Sequence, residues 1–121
     1  MTAGNGLRPG LVGHSEIVID DTHLTTHVGG RGVFSTPSMI YLMETTAHDS
    51  VEQHLEPGTT TVGFEINVRH LAPAEPGQRV VVTTHLREVD GRRLLFDVAC
   101  RRDDTLIGTG THRRTVVRAR D

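Results

Sequence analysis

A chain of 121 residues, 36% hydrophobic and 23% charged, is long enough for one domain with a real core and too apolar to be disordered. A formal charge of −2 argues against general nucleic-acid binding. No apolar run approaches the roughly 20 residues that span a bilayer, and the lone Cys100 excludes an intrachain disulfide and a cysteine-built zinc motif. Met1–Pro9 has neither a basic start nor an apolar stretch, so no signal peptide is visible and a cytoplasmic location is expected. All thirteen basic residues are arginine. Two stand against seven acids in residues 1–57, and eleven against eight in residues 58–121. Arg92, Arg93 and Arg113 in the basic half are candidate partners for a phosphate.

In chain order, Glu16–Asp20 reads as a short strand centred on Ile17, Val18 and Ile19. Thr25–Val33, with Gly29, Gly30 and Gly32, reads as a mobile loop. Helix signals follow at once: Ser35 or Thr36 as cap, then Pro37 where a missing N–H is no loss. Ile40, Met43, Ala47, Val51 and Leu55 form one apolar stripe, and Glu56-Pro57-Gly58 ends the helix. A helix over Pro37–Leu55 is roughly 28 Å long, and only an extended sheet can cover its stripe. Strands are expected at Thr59–His70, Gln78–Val89, Arg92–Arg101 and Thr105–Arg118, with Asp90-Gly91 as a hairpin signal. One early strand, a long helix and four antiparallel strands make an α+β layout with the helix on a curled sheet.

Three side chains could carry chemistry. Thr36 lies where the helix starts, beside free backbone N–H groups that also suit an oxyanion. Glu44, eight residues on, follows Leu42 and Met43, and a desolvated carboxylate can serve as base or nucleophile. His70 ends a strand and can relay protons at neutral pH. Singly, a cap, a surface acid and a strand-end histidine have ordinary explanations. His23 and His27, or His48 and His54, do not have metal-binding spacing, so no metal site is expected. Cys100 reads as buried packing.

The run Val33-Phe34-Ser35-Thr36-Pro37, then Leu42-Met43-Glu44 and His54-Leu55-Glu56-Pro57-Gly58, resembles the fluoroacetyl-CoA thioesterase group of hot-dog-fold proteins. Val62-Gly63, Val68-Arg69-His70, Glu88–Leu94 and Ile107–His112 continue the match, which covers residues 33–117 or so. The resemblance implies a single hot-dog domain over residues 1–121, a curved antiparallel sheet wrapped around a long helix. It implies hydrolysis of a short- or medium-chain acyl-CoA by Thr36, Glu44 and His70, in a homodimer with its sites at the subunit interface. Phe34, Gly30, Gly63 and Phe64 are then substrate-binding, Gly63 lying near the acyl group. Coenzyme A is part of the substrate and no cofactor is needed; neither nucleic acid nor membrane is an expected partner. Two departures stand out. His27–Gly32 occupies the place of an aromatic lid, and Pro37 replaces a glycine, so fluoroacetyl specificity is not implied. The alternatives are a non-catalytic acyl-CoA or small-ligand binder on the same fold and an enoyl-CoA hydratase using Asp49.

Overall fold

Hydrogen bonding, more than hydropathy, decides where the first strand lies. In the computed structural model, which describes residues 6–120, β1 is Val12–Val18 and not Glu16–Asp20. It pairs antiparallel with β5 (Arg79–Asp90), from Val12 opposite His85 to Val18 opposite Arg79. The chain then leaves the sheet. Ile19 is buried, its amide donating to the Gln78 carbonyl, and Asp20 caps a short 3-10 turn at Asp21–His23. The glycine-rich stretch closes as a small hairpin in which β2 (Leu24–Thr25) pairs with β3 (Val33–Phe34). Gly29, Gly30 and Gly32 take positive φ angles between them.

Helix α1 runs from Thr36 to Glu52. Ser35, not Thr36, is its cap: the Ser35 hydroxyl accepts from the Ser38 amide at 3.1 Å, and Pro37 sits in the first turn. The helix stops short of Leu55 because the amides of His54 and Leu55 bond carbonyls three residues back, tightening the last turn. Its buried face is Met39, Met43, Thr46, Ala47 and Val51, while Ile40 and Leu55 are only half-buried flanks. Met39 reaches the centre because the sheet has a glycine beneath it. A Cβ on Gly108 would overlap the Met39 sulfur.

The main sheet contains β4 (Thr59–His70), β5, β6 (Arg93–Arg102) and β7 (Thr105–Arg118), in the order β1-β5-β6-β7-β4 with every pair antiparallel. Asp90 pairs with Arg93, so the hairpin loop is Gly91-Arg92, one residue later than the Asp90-Gly91 signal suggests. Register shifts at Gly63/Glu65, Leu86/Glu88 and Cys100/Arg101 bend the strands and curl the sheet around α1. The helix packs on β1, β4, β5 and β6, with Val80, Val82, Leu86 and Phe96 among the buried residues facing it. This is the expected α+β hot-dog arrangement. Among the described residues no helix is long and apolar enough to cross a membrane. Strand β4 lies at one edge of the sheet, with Val62 and Phe64 exposed along it.

Candidate active site

The start of α1 and the end of β4 meet at one end of the molecule. Ser35 has taken over capping, which leaves the Thr36 hydroxyl free to lie 2.8 Å from His70 Nδ1. Buried Phe34 meets the His70 ring edge-on, with centroids 6.2 Å apart and an interplanar angle of 76°. These residues, with Thr25, Val33 and Leu71, line a cavity of about 290 Å³ whose polar side chains are Thr25 and the hydroxyl–imidazole pair. His70 Nε2 is buried and has no hydrogen-bond partner among the described residues. Burial lowers the His70 pKa from its ordinary range, with the Ala72 backbone pulling the other way. At neutral pH the ring is therefore uncharged and able to accept a proton.

Glu44 does not join this pair within one protomer. Eight residues along a helix are about 12 Å of rise, and Glu44 lines a second cavity, of about 250 Å³, with Gly63, Phe64, Ile66 and His112. There Gly63 is the close-approach position. A Cβ on it would stand 2.8 Å from His112 Cε1, 3.1 Å from Arg114 Nη1 and 3.2 Å from Glu44 Oε2. The missing side chain thus leaves a gap bounded by an imidazole, a guanidinium and a carboxylate. Phe64 sits at the rim, its ring 5.3 Å from the Arg93 guanidinium carbon. Gly30 lies in open space in the β2–β3 turn and lines neither cavity.

The second cavity rests on residues that sequence reasoning passed over. Arg114 is buried, its Nε donating to the Thr61 hydroxyl at 2.8 Å and Nη2 to the Thr61 carbonyl at 2.9 Å. No carboxylate forms an ion pair with it among the described residues. Burial lowers its pKa, and the nearby charges of Glu44, Glu52 and Asp49 push back. A buried guanidinium without an ion pair is costly to desolvate. The signal was present in the sequence: on β7, Arg114 is in phase with buried Val116 and His112. Arg113, one residue out of phase, faces outward and is paired with Glu65 at 2.9 Å. Arg93 stacks on Phe64 and Arg92 is an exposed turn residue, so none of the three expected phosphate partners lines either cavity.

A family model for fluoroacetyl-CoA-specific thioesterases matches residues 18–120. The fluoroacetyl-CoA thioesterase of Streptantibioticus cattleyicolor is 42% identical over 85 residues, which span 70% of this chain and 61% of that protein's length. Among solved structures, that of the fluoroacetyl-CoA thioesterase FlK superposes with a TM-score of 0.86 at 34% identity, covering 94% of this chain and 90% of that one. A variant of FlK in complex with fluoroacetate and CoA gives 0.84 at 33% identity, covering 93% and 96%. A thioesterase-superfamily member from Thermus thermophilus gives 0.84 at 26% identity, covering 93% and 85%.

Proposed function

Since this chain belongs to the fluoroacetyl-CoA-specific thioesterase family, we propose that it hydrolyses acyl-CoA thioesters to free acid and CoA, at a site completed by a second copy of itself. The observation that carries this reading is the 2.8 Å contact between Thr36 and His70 at the N-terminus of α1, beside a buried His70 Nε2 that awaits a partner. The thioester carbonyl lies against that terminus. Of the first-turn amides, those of Ser38 and Met39 are held by Ser35 and Pro37 has none, so the Thr36 amide is the donor for the developing oxyanion.

Glu44 enters from the partner. Strand β4 presents a twelve-residue edge. An antiparallel pairing of two such edges centred on Asn67, with the bulge at Gly63/Glu65 absorbing one residue, would set His70 opposite the partner subunit's Gly63. Glu44 borders Gly63, so the same pairing brings the partner subunit's Glu44 to His70. Its carboxylate takes a proton from water as the water oxygen adds to the carbonyl carbon. The partner subunit's Glu44 hands that proton to His70 Nε2, and as the C–S bond breaks His70 passes it to the departing thiolate. Direct attack by the carboxylate, giving an anhydride that water opens, uses the same placement.

The turn carrying Gly29 and Gly30 has no phenylalanine, tyrosine or tryptophan to close over a small acyl group, which supports a short- or medium-chain substrate without strict selection for fluoroacetyl. The test is an acyl-CoA panel assayed with a thiol reagent. CoA release from several short acyl chains is expected, with Glu44→Gln and His70→Ala each slower by about a hundredfold or more. Wild-type rates in Glu44→Gln would remove Glu44 from the mechanism. Tight binding of acyl-CoA with no CoA release would leave a binding protein in place of an enzyme.

A further inference from the structure

We propose that His112 is a positioning residue of this site: fixed in one neutral tautomer, it holds the Arg114 guanidinium so that a free N–H points into the gap at Gly63 that takes the acyl end of the substrate. The proposal rests on the thioesterase reading above and adds to it the group that sets the geometry of the acyl pocket.

The tautomer follows from the bonds. Arg114 Nη1 lies 3.2 Å from His112 Nε2. A guanidinium can only donate, so Nε2 must be the bare, accepting nitrogen. His112 Nδ1 lies 2.8 Å from the Glu65 carbonyl oxygen. A carbonyl can only accept, so Nδ1 carries the hydrogen. Each end of the ring thus meets the one partner that selects the Nδ1–H form, and an imidazolium would turn an N–H against the guanidinium. The ring is also held by packing, 1% exposed and stacked on Phe96 at a centroid distance of 6.2 Å.

Arg114 is oriented from three sides. Its Nε and Nη2 are tied to Thr61 on β4, and its Nη1 to His112 on its own strand. The guanidinium has five N–H groups, and these three bonds leave one on each terminal nitrogen. Nη1 is the nitrogen 3.1 Å from where a Gly63 Cβ would stand, in the gap that Glu44 Oε2 also borders. Without His112 the planar guanidinium is held at Thr61 alone, and a swing of the whole group about those two bonds carries Nη1 toward the Glu44 carboxylate. Such a swing would engage the carboxylate that the reaction needs and close the acyl gap at once. His112 itself touches no reacting atom in this scheme; it acts through Arg114.

Three full-length proteins decide it: unsubstituted, His112→Leu and His112→Gln. Leucine keeps apolar packing on Phe96 and removes both hydrogen bonds. Glutamine can accept from Arg114 through its amide oxygen while its nitrogen donates to the Glu65 carbonyl. With acetyl-CoA and butyryl-CoA as probes, kcat/KM for the leucine variant should fall by about tenfold or more. The glutamine variant should recover most of that loss. Inhibition by free CoA, which has no acyl group, should be the same in all three. A long-range proton–nitrogen correlation spectrum of the unsubstituted protein should show His112 protonated on Nδ1 and bare on Nε2. Unchanged kcat/KM in both variants, equal losses in both, or a proton on Nε2 would each overturn the positioning role. If the leucine variant does not fold, the glutamine rates and the spectrum still decide. An unsubstituted protein that cleaves no acyl-CoA sinks the thioesterase reading and this role with it, whereas an active protein with indifferent variants sinks only the role of His112.

Discussion

At the scale of single residues, half-buried His70 and buried His112 give the protein a pH dependence of predictable sign. Burial lowers the pKa of both His70 and His112 below the ordinary value near 6.5. Below that value the unfolded chain takes up protons at these positions while the folded protein does not, so acidification favours unfolding. Their contribution to stability is therefore complete above about pH 6.5 and is lost as pH falls through the two lowered folded values. Melting temperatures measured from pH 8 down to pH 5 should decline on the acid side, and His70→Gln should flatten the decline. The acid limb of kcat/KM, which reports the free enzyme, should likewise lie below about pH 6.5. An acid limb centred well above that value would show that neutral His70 is not the form in use.

At the scale of elements, the junction of β3 with α1 sets the position of Thr36, and its cap is the part most open to test. Ser35 caps the Ser38 amide, and its own amide donates to the His23 carbonyl, tying the helix start to the 3-10 turn. Ser35→Ala should cost about 1 kcal/mol, or roughly 3–5 °C in melting temperature for a domain of this size. It should also lower kcat, because Thr36 is then free to take over the capping bond and leave His70. Thermal unfolding with unchanged temperature and rate would mean that the cap is not what holds Thr36 in place. The elements themselves were largely legible in the sequence. The β4 and β7 boundaries coincide with the β-rich runs at Thr59–His70 and Thr105–Arg118 because turns with Gly58 and Asp103-Asp104 punctuate both. Two features were not legible, for a shared physical reason. Met39 replaces Ile40 on the buried stripe because Gly108, distant in sequence, makes room for it. The role of Arg114 depends on Thr61 and His112, and only the pairing of strands brings Thr61 to it. Local periodicity reports which face a residue is on, but not what the opposite element offers it.

At the scale of the whole molecule, the central fact is a separation: one protomer brings Thr36 to His70 and leaves Glu44 in the neighbouring cavity. A reading from spacing alone treats the three as one constellation, and the helical rise of about 12 Å between Thr36 and Glu44 divides it. Pairing of two β4 edges would resolve the separation, and would also cover Val62 and Phe64, each 46% exposed, and the open backbone of an edge strand. This arrangement makes a demand that a site contained in one chain does not. In that arrangement Thr36→Ala and Glu44→Gln should each disable both sites of the homodimer. In a mixed dimer of one chain of each kind, one site carries both substitutions, but the other combines an intact Thr36–His70 pair with an intact Glu44. Co-expressed under two different affinity tags and purified through both, the mixed dimer should recover roughly half the activity of the unsubstituted protein, since one of its two sites is whole. If each site drew all three residues from one chain, every site in the mixed dimer would carry one lesion and no activity would return. Recovery in the mixed dimer, with neither parent variant active alone, is thus the result that places the nucleophile's carboxylate on one subunit and its proton carrier on the other.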